Sequence, residues 1–189
     1  MLEDKQMVSS KPAVPLFGGS RGASSLEGLS QLLAFREKAL AFKIGSAMAA
    51  AAAANAQAGG RTAAEKAASD VFEANLDTVV SMGWAYVERY CLDNFVQAIA
   101  RLDVSLRPAL LMLATLFGIK SVLKGSAFFL GSGALTAEDL EGLRTSLHEI
   151  YRTLSANGGR LALKLCDGFG IPEPMITAPI AKDWRQVGM

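Results

Sequence analysis

The sequence has little of the material from which catalytic or nucleic-acid-binding chemistry is usually built. It contains two cysteines, Cys91 and Cys166, and one histidine, His148. Two cysteines cannot form a disulfide scaffold; they read as thiols of a reducing compartment, buried by default as small apolar side chains. A di-iron helical bundle needs a Glu-x-x-His pair on each of two helices, and here Thr145 stands three before the lone histidine, so that option is excluded. Charge is balanced, 19 basic against 18 acidic residues for a net charge of +1. A duplex-binding module carries a clear basic excess, so nucleic acid is not an expected partner. Long apolar runs are also missing. The longest, residues 109–119, stops at Lys120, short of the about 20 residues a membrane helix needs. The alanine tract at 49–54 is only weakly hydrophobic and lies between Lys43 and Asn55. No apolar core follows the first basic residue, so neither a secretory signal nor a transmembrane segment is expected.

What remains is a chain that is 51% apolar and 20% charged, a composition that excludes wholesale disorder and suits one domain with a tail. Residues 1–23 mix charges with Pro12, Pro15, Gly18, Gly19 and Gly22 and show no periodicity, which predicts a flexible leader. Residues 24–189 are expected to form the folded domain. Ser24-x-x-Glu27 has the form of a capping box, and Leu26, Leu29, Leu33, Leu40, Ile44 and Met48 then recur at helical spacing. Alanines carry that helix to about residue 58, and Gly59–Gly60 end it. Thr62-x-x-Glu65 predicts a second start, with Phe72, Leu76, Val79, Val80, Val87, Cys91, Phe95 and Ile99 on its apolar side as far as about residue 100. Two helices of this length joined by a tight loop make an antiparallel hairpin, and helices so long need further partners.

Pro108 suits the first turn of a third helix. Leu110, Leu111, Leu113, Leu116, Phe117, Ile119, Val122 and Leu123 surround most of that helix, which predicts a place in the middle of a bundle. Residues 125–133 are expected as a loop. Thr136-x-x-Asp139 opens a fourth helix with Leu140, Leu143, Leu147, Ile150 and Leu154 inward, and Gly158–Gly159 separate a short fifth helix at 160–166. No segment alternates like a strand. The expected fold is an all-α bundle of two long antiparallel helices plus two to three shorter ones.

Candidate chemistry is sparse. Gly18-Gly19-Ser20-Arg21-Gly22 matches the G-x-S-x-G string of a nucleophile elbow, but no strand precedes it, and that elbow is a strand-to-helix turn. His148 shares the polar side of the fourth helix with Glu141, Arg144 and Arg152 and reads as a solvated residue. Asp70, Glu73 and Asp77 form a stripe on the second helix without a cationic complement. Gly131-Ser132-Gly133 lacks the third glycine and preceding strand of a dinucleotide cradle. No catalytic, cofactor-binding or metal residue is assigned.

The order of segments carries more information. Phe35-Arg36-Glu37-Lys38-Ala39 in the first long helix is followed by Tyr86-Val87-Glu88-Arg89-Tyr90-Cys91-Leu92-Asp93-Asn94-Phe95 in the second. Then come the leucine-rich residues 110–119, Phe128-Phe129-Leu130 ahead of Leu135-Thr136, and Asp167-Gly168-Phe169-Gly170-Ile171-Pro172-Glu173 with Ala178-Pro179-Ile180-Ala181. In this order the chain, over residues 25–184, resembles the C-terminal helical domain of the acyl-CoA oxidases, the flavin enzymes that open peroxisomal fatty-acid β-oxidation. The resemblance implies an FAD-dependent oxidation of acyl-CoA to trans-2-enoyl-CoA with release of hydrogen peroxide. In that family a glutamate of the preceding helical domain removes the α-proton, and FAD is bound mainly by that domain and the β domain. No residue here matches that glutamate or its glycine-rich surroundings, so no catalytic position carries over. The implied role is structural: packing against the catalytic and flavin domains and a second subunit, inactive in isolation. The implied compartment is the peroxisome, although the chain ends Gln186-Val187-Gly188-Met189 rather than in a Ser-Lys-Leu type address, with the cytoplasm as the alternative. The rival expectation from the residues alone is a non-catalytic helical interaction or lipid-surface adaptor.

Overall fold

The structure, a computed structural model, describes residues 12–15, 20–172 and 175. Among the described residues it contains six helices and no strand, the all-α architecture expected. Two compact units divide the chain, Met1–Leu147 and His148–Met189. In the first, the single turn α1 (Ser20–Ala23) packs on α2 (Leu26–Ala74), and α3 (Leu76–Ala100) lies against α2. The next helix, α4 (Arg107–Lys124), contacts both, and α5 (Ser126–Gly131) packs on α4. The last, α6 (Ala137–Asp167), starts in this unit and adds Leu140 and Leu143 to its core.

Helix α2 starts one residue later than the sequence suggested. Ser25, not Ser24, is the cap: its Oγ accepts from the Gly28 amide at 3.0 Å and donates to the Gly22 carbonyl at 2.7 Å. One hydroxyl thereby satisfies a backbone group on each side of the helix start. The expected reversal is at Gly60, whose φ of 71° and ψ of −163° are open to glycine and strained for other residues. On either side of it the chain runs antiparallel, since Ser30 meets Asp93 and Arg36 meets Glu88. The second arm is not the single helix expected. It breaks at Asn75, whose Nδ2 donates to the Val71 carbonyl at 2.8 Å while its amide bonds back to Phe72, a local alternative to the helical ladder.

Three further elements correct or bear out the expectations. Residues 125–133 hold helix α5 rather than a loop. Gly125 closes α4 and offers its carbonyl to the Phe128 and Phe129 amides, and the turn buries Phe129 completely. Helix α4 is covered on one face only, by burial of Ala114, Gly118, Ile119, Ser121 and Val122, whereas Leu111 is exposed and Leu110, Leu113, Leu116 and Phe117 are half-buried. Apolarity around the whole helix therefore did not mean a central position. Thr136 and Asp139 form the expected reciprocal cap: Thr136 N donates to Asp139 Oδ2 at 2.9 Å, and Asp139 N donates to Thr136 Oγ1 at 3.1 Å.

The core joins Leu29, Leu32, Leu33, Leu40 and Ile44 of α2 to Leu92 and Ile99 of α3, Ile119 and Val122 of α4, and Phe129. It is confined to the proximal half of the hairpin. Between Ile44 and Ala85 no described side chain is buried. The stretch Leu26–Ala56 of α2 is long and apolar enough, by length and composition, to cross a membrane. This qualifies the expectation of no such segment. Within it, Leu29, Leu32, Leu33, Leu40 and Ile44 are core residues. In the second unit α6 leaves helical geometry at Ala156, Asn157, Gly158 and Gly159, the break that Gly158–Gly159 predicted, and helix then continues to Asp167.

Candidate functional site

The densest polar arrangement is a clasp of ion pairs across the hairpin. Arg36 follows Leu33 and precedes Leu40 on the buried stripe of α2; Glu88 lies likewise between Ala85 and Leu92 on α3. Helical spacing thus carries both charges into the core. Arg36 Nη1 donates to Glu88 Oε2 at 2.9 Å, with side chains only 11% and 9% exposed. Lys124 Nζ of α4 reaches the other oxygen, Oε1, at 3.2 Å and also stands 4.8 Å over the Trp84 ring. One residue along, the signs are reversed. Arg89 grips Glu37 through Nε and Nη2 and donates through Nη1 to Asp93 at 3.0 Å, while Ser30 Oγ donates to the same carboxylate at 2.6 Å. The hydrogen bonds that Arg89 donates to Glu37 raise its guanidinium above its ordinary range, against the opposing effect of burial.

Every carboxylate in this clasp is engaged by cations. None is held as a free base facing a cavity, so the arrangement fixes register and offers no proton-transfer chemistry. In the sequence these residues fall in two separate strings, 35–39 and 86–95, and nothing local pairs them. The available signal was a charge of opposite sign at an interior heptad-like position in each arm.

The other candidates are dispersed. Gly18 and Gly19 lie outside the described residues, as do Glu173 and residues 176–189, which hold the end of the tail motif and the C-terminal residues. His148 is exposed, and Glu141 pairs with Arg144 at 3.1 Å. Asp70, Glu73 and Asp77 are all exposed, and no group of three or more potential metal ligands occurs among the described residues. The cysteines correct an expectation: both Cys91 and Cys166 are exposed rather than buried. Helix α3 buries Ala85, Glu88, Leu92 and Ile99, and Cys91 falls off that stripe. Leu76, Val80, Trp84 and Val87, at spacings of four, four and three, share Cys91's side and are 51%, 57%, 54% and 45% exposed. Helix α3 therefore has two apolar stripes. The one that sequence reasoning favoured is mostly the one left open.

A model of the acyl-CoA oxidase family matches residues 37–183. The chain belongs to the acyl-CoA oxidase family. No curated protein and no solved structure matches it. The matched span takes in the clasp from Glu37 onward, the open stripe of α3, and helices α4 to α6. The family implies FAD. Gly131-Ser132-Gly133, the glycine pair nearest to a phosphate loop, sits at the C-terminal end of α5, where helix carbonyls rather than amides face outward. No step of flavin chemistry is therefore assigned to these residues.

Proposed function

We propose that this acyl-CoA oxidase chain supplies a C-terminal helical domain, residues 24–189 behind a leader at 1–23. This domain packs against flavin-bearing catalytic domains and a second subunit and turns over no substrate alone. The assembled enzyme would oxidise acyl-CoA to trans-2-enoyl-CoA, pass the electrons through FAD to oxygen, and work in the peroxisome. The observation that supports this is the hairpin's distal half: about 40 residues with no buried side chain among those described, carrying the stripe Leu76, Val80 and Trp84. Long helices without tertiary packing are marginal in water, and large exposed apolar patches mark interfaces.

Two measurements test it. Sedimentation of the purified chain should show self-association that Val80→Asp with Trp84→Asp abolishes while helical content is kept. Peroxide release from acyl-CoA with added FAD should be absent, and robust turnover would contradict the reading. A lipid-surface adaptor is the second reading, motivated by the long apolar stretch Leu26–Ala56. Strong co-flotation of the monomeric chain with vesicles would favour it.

A further inference from the structure

A cavity of about 480 Å³ opens on the side of α2 that faces α5 and residues 12–15. Its size is within the range of small-molecule sites. Phe35, Ala39, Phe42 and Ser46 lie at spacings of four, three and four, so one stripe of α2 forms a wall. This stripe is distinct from the one that carries Leu40 and Ile44 into the core. Phe128 of α5 closes the opposite side, its ring 5.9 Å from that of Phe35 and edge-on to Phe129 at 5.4 Å. Pro12 and Val14 border it as well. The lining is graded: Phe35 is buried, Phe42 and Phe128 are half-buried, and Lys43 is exposed at the rim.

Lys43 sets the charge of this site. It makes no ion pair among the described residues, whereas Arg36, Arg61, Arg89, Lys124 and Arg144 all do. No acid occupies its helix neighbours at 39, 40, 46 or 47. The remaining polar lining is two hydroxyls, each donating to a local carbonyl: Ser46 to Lys43 O and Ser132 to Phe129 O, both at 3.2 Å. Among the described residues the ammonium is thus the one free charge-bearing donor of the lining.

From this arrangement we propose that the cavity is a binding site for a small apolar monocarboxylate, its aromatic or short alkyl body among Phe35, Phe42 and Phe128 and its carboxylate on Lys43. One cation suits one negative charge. A CoA thioester has no free carboxylate at its acyl end and would leave Lys43 unpaired, so the proposed ligand is distinct from the acyl-CoA substrate. The inference is independent of the subunit reading above, because it concerns only α2, α5 and residues 12–15.

Calorimetric titration of the full chain with 4-phenylbutanoate and with octanoate tests it, with 4-phenylbutylamine and the CoA thioester of octanoate as comparisons. Saturable one-to-one binding of at least one acid is expected, about threefold or more tighter than of the amine or the thioester. Lys43→Gln should weaken acid binding by about two- to fivefold, as an ion pair at an exposed lysine allows, while leaving binding of the neutral 4-phenylbutanamide unchanged. Ala39→Trp, which fills the cavity and keeps Lys43, should abolish binding of all of these without loss of helical content. Which acid binds better identifies the body as aromatic or alkyl. Absence of saturable acid binding, equal affinity for acid and amine, or an unaltered titration in Lys43→Gln would overturn the proposal. Binding to anionic vesicles without binding of either monomeric acid would overturn it in favour of a membrane surface.

Discussion

Removing Arg36 probes the clasp most directly. In Arg36→Met a side chain of similar length fills the same space, and the carboxylate of Glu88 loses its 2.9 Å partner while staying 9% exposed. Breaking a buried pair by deleting one partner costs about 3–5 kcal/mol, because the survivor is left charged and desolvated. Lys124 remains 3.2 Å from the other Glu88 oxygen, from an exposed position, so the lower end, about 3 kcal/mol, is expected. For a chain of this size that lowers the midpoint of thermal unfolding by about 6–12 °C. Glu88→Leu removes the orphan, so Arg36→Met with Glu88→Leu should be more stable than Arg36→Met alone, with a coupling of about 2 kcal/mol. Urea unfolding followed by circular dichroism on the four proteins of the cycle measures this. Arg61→Ala serves as an internal reference: its 2.8 Å pair with Glu65 joins side chains 91% and 63% exposed and should matter by no more than about 0.5 kcal/mol. A cost for Arg36→Met below about 1 kcal/mol, or strictly additive effects in the double variant, would refute the claim that this pair is energetically interior.

Three other outcomes follow from the geometry. Gly118→Ala places a Cβ 3.0 Å from Leu29 Cδ1 and 3.3 Å from Leu92 Cδ2, where α4 meets both arms of the hairpin; overpacking of about 1–3 kcal/mol opposes a helix-propensity gain of about 1 kcal/mol, so a net loss below about 2 kcal/mol is expected, and a stabilising effect in unfolding experiments would contradict that close approach. The Asp103 carboxyl is held below its ordinary range by the Ser105 hydroxyl and then by the Ser105 amide. A lowered folded-state pKa means that the contribution is present above the unfolded-state value and is lost as pH falls through the folded one. Nuclear magnetic resonance titration should find Asp103 depressed in the wild type and moved back up in Ser105→Ala, and an undepressed wild-type value would refute the turn. Both thiols are exposed, so each should react with an aromatic disulfide reagent in native buffer as fast as in denaturant; protection of Cys166 would place it in an interior.

The fold was largely readable because its punctuation is chemical. Gly60, Pro108, the Thr136–Asp139 pair and Gly158–Gly159 each mark a boundary through a backbone requirement that does not depend on distant residues. What was misread depends on tertiary context. Ser24 and Ser25 compete for one cap, and only contact with the Gly22 carbonyl decides between them. Asn75 reads as an ordinary helical polar residue until its amide group finds the Val71 carbonyl. Val80, Val87 and Cys91 are as apolar as Leu92 and Ile99, so periodicity alone cannot say which of the two stripes of α3 meets α2. The clasp was hidden for the opposite reason. Arg36 and Glu88 look like surface charges until the hairpin register, with Gly60 at the turn, brings them face to face.

That register also implies a gradient of stability along the hairpin. The proximal half is held by the leucine core, the Arg36–Glu88 and Glu37–Arg89 pairs, and the packing of α4. The distal half, from Gly45 to Trp84, has alanine-rich helix and no buried side chain among the described residues. Local opening free energy follows buried apolar contact, so the two halves of one continuous supersecondary element should behave as separate cooperative units. Hydrogen exchange on the monomeric Val80→Asp with Trp84→Asp variant should show fast exchange over residues 45–74 and slow exchange over residues 85–99. In the self-associated wild-type chain the distal amides should exchange more slowly and the proximal ones at the same rate as in the variant. Equal protection of both halves in a demonstrably monomeric sample would mean that the distal helices are stable without a partner, and the reason for expecting one would be gone.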